Sequence, residues 1–186
     1  MSDTFIDGVD YGPLAGLVGT WIGDSGMDVA PEPDDTERNP YYETIVFEAA
    51  GDVTNAEEQT LAVMRYHQVV SRKSNDEVFH NETGYWMWDA VAGVVMQSLT
   101  IPRGVCLLAG GSAGAGAGTL RVHSAIDDRD WCIVQSPFMR DKAQTVEFTH
   151  EITVAEDTLT YSETTMVDIY GRRFEHTDTN SLGRAN

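Results

Sequence analysis

Along most of the chain, apolar and polar residues alternate with a period close to two. Successive side chains of a strand point to opposite faces, so this period predicts strands. YYETIVFEA (41–49), LAVMRYHQVVSRK (61–73), EVFHNETGYWMWD (77–89) and VVMQSLTI (94–101) form a first series. After a corner at Pro102-Arg103-Gly104 come VCLLAG, TLRVHSAI (119–126), DWCIVQS (130–136), QTVEFTHEITV (144–154), LTYSETTMVDIY (159–170) and RRFEHTDTNSL (172–182). The tracts KSND, AVAG, DDRD, AEDT and YGR between them are hairpin signals. Upstream, TWIGDSGMDV is strand-like but loosened by Gly23 and Gly26, and Leu14–Val18 predicts a short helical turn ended by Gly19. Residues 30–40, with three prolines, read as a polar loop.

About ten strands with no long helix predict an all-β fold. A meander of hairpins leaves two open edges, and closure removes them. The expected architecture is an up-and-down antiparallel β-barrel of lipocalin or FABP type, with a short N-terminal helical turn. The 186 residues suit a single domain over 1–186. AGGSAGAGAG (109–118) reads as a flexible hairpin loop; it lacks the Lys and following helix of a phosphate cradle.

A barrel of this size can hold one small ligand. In the penultimate strand, Leu159, Tyr161, Glu163, Thr165 and Val167 share one face. In the last, Phe174, His176, Asp178 and Asn180 do so. Neither is a plain core face, and a polar cavity or exposure of a terminal strand would each account for that.

Charge narrows the function classes. The chain has 30 acidic and 12 basic residues, a formal net charge of −18. Such a field repels phosphate backbones and anionic lipid surfaces, so neither nucleic acid nor membrane is an expected partner. No apolar run is long enough to span a bilayer, and the start lacks the features of a signal peptide, so the expectation is cytoplasmic. Cys106 and Cys132 read as buried free thiols. The partner expected is a small molecule in the cavity, and a homodimer is compatible with the reading. HExxH, CxxC and P-loop patterns are missing, no GxSxG nucleophile elbow is signalled, and the five histidines stand singly along the strands.

Four stretches nevertheless resemble one family. They are Leu14-x-x-Leu17-x-Gly19-Thr20-Trp21-Ile22-Gly23; Tyr42–Phe47 with Tyr66-x-Gln68; His80-Asn81-Glu82-Thr83-Gly84-Tyr85-Trp86; and Met166 followed by His176. In order and spacing they are similar to the nitrobindin family, small FABP-like haem-binding barrels. The resemblance implies a ferric haem b inside the barrel, with His176 as axial ligand and metal-binding residue. Trp21, Phe174 and Met166 are then expected to border the cofactor. Nitric oxide binding and isomerisation of peroxynitrite to nitrate are implied with it. The alternative keeps the barrel and drops the iron: a cavity for a small hydrophobic ligand, of fatty-acid-binding or lipocalin type.

Overall fold

The computed structural model describes residues 4–185. A two-residue hairpin, β1 (Phe5–Ile6) and β2 (Val9–Asp10), leads into a 3-10 helix at Gly12–Leu17. Long strands follow: β3 (Gly19–Pro31), β4 (Thr36–Asn55), β5 (Gln59–Arg72), β6 (Val78–Asp89), β7 (Val94–Ile101), β8 (Val105–Ser112) and β9 (Thr119–Ala125). Then come a short β10 (Ile133–Gln135), one helix α1 (Pro137–Lys142), and β11 (Ala143–Ala155), β12 (Thr158–Ile169) and β13 (Arg172–Arg184).

The sheet is antiparallel and closed. β13 returns to pair with β3, and β8 meets β9 at Gly110 and His123. With β10 attached alongside β8, the ring proper is β3 to β9 plus β11 to β13, ten strands. At the seam, β10 fills the gap between β8 and β11. Gln135 there uses its side-chain amide as a strand would use its backbone, donating to Thr145 O and accepting from Thr145 N, both at 2.9 Å.

One end of the barrel is a packed apolar core. Leu14 and Leu17 of the 3-10 helix enter it and meet Trp21, Met64, Trp86, Trp88, Leu159 and Leu182, all buried. Trp21 Nε1 donates to Leu17 O at 2.7 Å, and the Arg184 guanidinium lies 4.1 Å above the indole. The indole N–H is thereby hydrogen-bonded and its ring face carries a cation–π contact.

Register decides what faces inward, because a one-residue slip would reverse every side chain. The β12–β13 turn is Tyr170-Gly171, both at positive φ, the geometry of a tight two-residue hairpin. It sets Glu163 opposite Asp178 and Thr165 opposite His176. β13 is paired on both sides, so its polar face is not the face of a frayed strand.

Two expectations are corrected. Residues 30–40 are mostly strand: β3 runs to Pro31, β4 starts at Thr36, and Pro40 pairs with Met27 inside the sheet while its carbonyl accepts from Lys73 N at 3.0 Å. The glycine-rich 109–118 segment begins as strand, since β8 runs to Ser112, and its smallness is used in packing. A Cβ at Gly110 would lie 2.3 Å from the Trp131 ring, and one at Gly111 would lie 2.0 Å from Arg121 O. Among the described residues, no helix is long and apolar enough to cross a membrane.

Candidate functional site

The end of the barrel opposite the 3-10 helix holds a cavity of about 380 Å³, inside the range typical of small-molecule sites. The strand ends that converge there are the C-terminal halves of β3, β5, β7 and β12 and the N-terminal halves of β4, β6, β8, β11 and β13. Its walls are largely apolar: Val70, Leu99, Ile101, Leu107, Phe148, Val167 and Ile169. Met139 of α1 also reaches the cavity; Ser136 caps that helix by accepting from Met139 N, and Pro137 opens it.

Polar groups occupy defined places. Asp28, Glu82, Glu163 and Asp178 bring carboxyls to the lining, and His80 and His176 bring imidazoles. The lining cations are Arg72, at the end of β5, and Arg103, in the β7–β8 turn. Arg72 stacks 4.6 Å from the Phe79 ring centroid, and Arg103 Nη2 donates to Phe79 O at 3.1 Å. Arg103 is exposed, and Arg72 is half-buried with its Nη1 3.2 Å from Glu77 Oε2, so both guanidinium groups sit at the rim.

His176 Nε2 is 2.7 Å from Asp28 Oδ1 and 3.5 Å from Asp178 Oδ2. Its Nδ1 makes no hydrogen bond among the described residues. Burial opposes a charge on this ring, but the bond to Asp28 and the nearby Asp178 outweigh it and raise the His176 pKa. Burial also opposes ionisation of Asp28; hydrogen bonds from His176 and Asn39 outweigh it and keep its pKa below the usual carboxylate value. Asp178, desolvated and next to Asp28, is pushed up to about 6. His80 Nε2 lies 3.4 Å from Glu82 Oε2, and that contact raises its pKa against the effect of burial.

Between cavity and core lies a buried polar layer. Glu43 accepts from Gln68 Nε2 at 2.6 Å, Asn180 Nδ2 at 2.7 Å and Tyr161 Oη at 3.0 Å, and Tyr161 meets Tyr41 at 2.8 Å. A second chain runs from Glu82 to the Tyr66 hydroxyl, which accepts from Gln97 Nε2 at 3.0 Å; Gln97 Oε1 faces His150 Nδ1 at 3.0 Å. His150 is thus Nδ1-protonated and neutral, its pKa lowered to about 4 by burial, and Nε2 has no partner among the described residues. Glu163 lines the cavity 3.7 Å from His150 Nδ1. Burial, reinforced by Glu82 and Asp178, keeps it protonated well above the normal range.

The four residues singled out from the sequence are not brought together. His176 lines the cavity. Phe174 shares its face of β13 but lies outside the lining, with Arg172 5.5 Å from its ring centroid. Met166 alternates with the lining residues Thr165 and Val167, so it is on the opposite face. Trp21 is fully buried in the core end. Sequence reasoning names His80, Glu82 and Glu43 only within the stretches that carry the family resemblance, and gives Asp28 and His150 no role. The alternation Asp28-x-Ala30 on β3 is the available signal for Asp28, since both residues line the cavity.

Comparison with known proteins adds a family. The model of the THAP4-like, heme-binding beta-barrel domain matches residues 10–184. A search of curated proteins finds no match. Among solved structures, the crystal structure of Rv2717c from M. tuberculosis is similar, with a TM-score of 0.67 and 20% identity. That alignment covers 93% of this chain and 95% of Rv2717c, and shows a common fold.

Proposed function

Because the chain belongs to the family of THAP4-like, heme-binding beta-barrel domains, we propose that its cavity holds a b-type haem through His176. The observation that carries the reading is the setting of that residue: an imidazole on a largely apolar wall, one ring nitrogen on a buried carboxylate and the other without a hydrogen bond among the described residues. The donor set fits. A neutral imidazole is a common iron ligand, and a carboxylate on its second nitrogen is the usual companion of a metal-bound histidine. The rim guanidiniums of Arg72 and Arg103 suit propionate groups.

When bound through one imidazole, haem supplies an iron with a position open to a small ligand. The chain's own residues do the rest. Val70, Leu99, Ile101 and Leu107 give the porphyrin an apolar surface and exclude water. Glu163, held protonated, carries an O–H that can donate into the cavity. We extend the proposal to nitric oxide binding and isomerisation of peroxynitrite to nitrate, which the resemblance to nitrobindins implies. A fatty-acid-type ligand fits less well. Its carboxylate could take the same rim guanidiniums, but its alkyl chain would lie along the carboxyls of the lining and offer nothing to His176.

Protein purified from cells given a haem precursor should carry a Soret band, and His176→Ala should lose or shift it. An unchanged spectrum in His176→Ala would make the ligand assignment wrong. Stopped-flow decay of peroxynitrite should be faster with haem-loaded than with haem-free protein; equal rates would remove the isomerase part alone.

A further inference from the structure

The barrel wall is incomplete at one place beside the cavity. β6 pairs with β5 from Val78 onward, but with β7 only from Thr83, which lies opposite Thr100. Residues Val78–Glu82 therefore have a strand on one side and the β7–β8 turn on the other. Pro102 in that turn has no N–H with which to continue the ladder. Val70 opposes His80 and Ser71 opposes Val78, so Phe79 is the extra residue of a bulge. A second pocket, of about 220 Å³, occupies this place. Phe79, His80, Ile101 and Arg103 line both it and the cavity, and so form the partition between them. Its other lining residues, Val78, Asn81 and Pro102, are exposed, so it opens outward.

Charge sets this pocket apart. The chain carries a formal net charge of −18, and the cavity lining includes Asp28, Glu82, Glu163 and Asp178. The lining of the second pocket includes no carboxyl. Arg72 is paired with Glu77, whereas Arg103 makes no ion pair with a carboxylate among the described residues. Arg103 Nη2 donates to Phe79 O at 3.1 Å, which leaves Nε and Nη1 open. Asn81 has its Oδ1 3.0 Å from His67 Nε2, so its Nδ2 is the group it has left to offer.

We propose that this pocket binds a planar monovalent oxyanion on the approach to the cavity, held by the Arg103 guanidinium with the Asn81 amide. A guanidinium presents two parallel N–H groups, which match two oxygens of a planar anion better than they match a spherical ion. An unpaired cation in a strongly negative field is also the one place where an anion gains by approaching. The binding site stands on the pocket's own residues; its use as an approach rests on the function proposed above.

Nitrate is the probe. In haem-free wild type, nitrate should give saturating NMR shifts of the Arg103 Nε–H and the Asn81 side-chain amide, and chloride at equal ionic strength should not. Arg103 is exposed, so replacing it leaves the core untouched. Arg103→Gln should bind nitrate about 10–100-fold more weakly, read on Asn81. Arg103→Lys, which keeps the charge and loses the fork, should fall between. No saturation, equal shifts with chloride, or an unchanged affinity in Arg103→Gln would overturn the proposal. A haem propionate offers the same planar chemistry as a free oxyanion. Protein loaded with zinc protoporphyrin IX, which carries the propionates without a paramagnetic iron, separates the two sources. Nitrate shifts that persist assign the pocket to a free anion; shifts abolished by the porphyrin assign Arg103 to a propionate and overturn the proposal. In haem-loaded protein, Arg103→Gln should lower the rate of peroxynitrite decay per bound haem several-fold, and an equal rate would overturn the pocket's place on the approach. Failure of the function proposed above shows differently, as wild type that takes up no hemin, or decays peroxynitrite no faster with it, while nitrate still binds the haem-free protein.

Discussion

Replacing Glu43 with glutamine should alter how stability depends on pH. Glu43 is 2% exposed and is the common acceptor of Gln68, Asn180 and Tyr161. Burial outweighs those bonds and lifts its pKa from 4.5 to about 7. A carboxyl with a raised folded pKa binds more protons in the native than in the unfolded chain. Its contribution is therefore complete below the unfolded value and is lost as pH rises through the folded one. The interval from 4.5 to about 7, at about 1.4 kcal/mol per pH unit, amounts to about 3 kcal/mol. A glutamine side chain does not titrate and has no such dependence. Below the unfolded value the wild-type carboxyl is itself protonated and has a donor to place, as the amide does, so at acid pH the two proteins should have similar stability. Between about pH 4.5 and pH 8 the difference should move by about 3 kcal/mol in favour of the variant. Urea unfolding of both proteins across this range, with equal m-values, measures it. A difference constant with pH would refute the reasoning, because Glu43 would then ionise alike in both states.

Three further outcomes follow from the packing. Gln135→Ala leaves the N–H and C=O of buried Thr145 without their partners; it should cost about 1–3 kcal/mol, with faster amide exchange at Thr145 and its neighbours in the seam. Gly84→Ala would put a Cβ 1.9 Å from Ser98 O between β6 and β7; a melting-temperature loss equivalent to about 1–3 kcal/mol is expected. Trp21→Phe removes the bond to Leu17 O and leaves space in the core end; it should lower stability by about 2 kcal/mol and leave hemin affinity unchanged.

The barrel was legible because its strands obey a period of two and end in recognisable turns. The polar faces read off β12 and β13 fit either a cavity or an exposed terminal strand, and only the closed sheet shows that Glu163, Asp178 and His176 line the cavity. What escaped was whatever depends on two distant segments meeting. Asp28 and Asn39 lie on either side of a Pro-rich stretch that resembles a loop; only pairing between β3 and β4 shows them side by side. Trp21 looked like a cavity residue because aromatic side chains suit both cores and pockets. Its depth along the barrel is fixed by the 3-10 helix beneath it, which composition does not encode. α1 was missed although Ser136-Pro137 is a helix-start signal, since six residues give too little periodicity to read. The polar layer around Glu43 and His150 joins strands far apart in sequence, and single strands reveal nothing of it.

The central claim is that the His176 imidazole holds the iron in this cavity. Hemin titration of His176→Gly, with and without added imidazole, tests it most directly. The wild type should bind hemin with a saturating Soret change, the glycine variant should lose that spectrum, and imidazole entering the vacated space should restore it. A glycine variant that binds hemin as the wild type does, with imidazole making no difference, would contradict the claim.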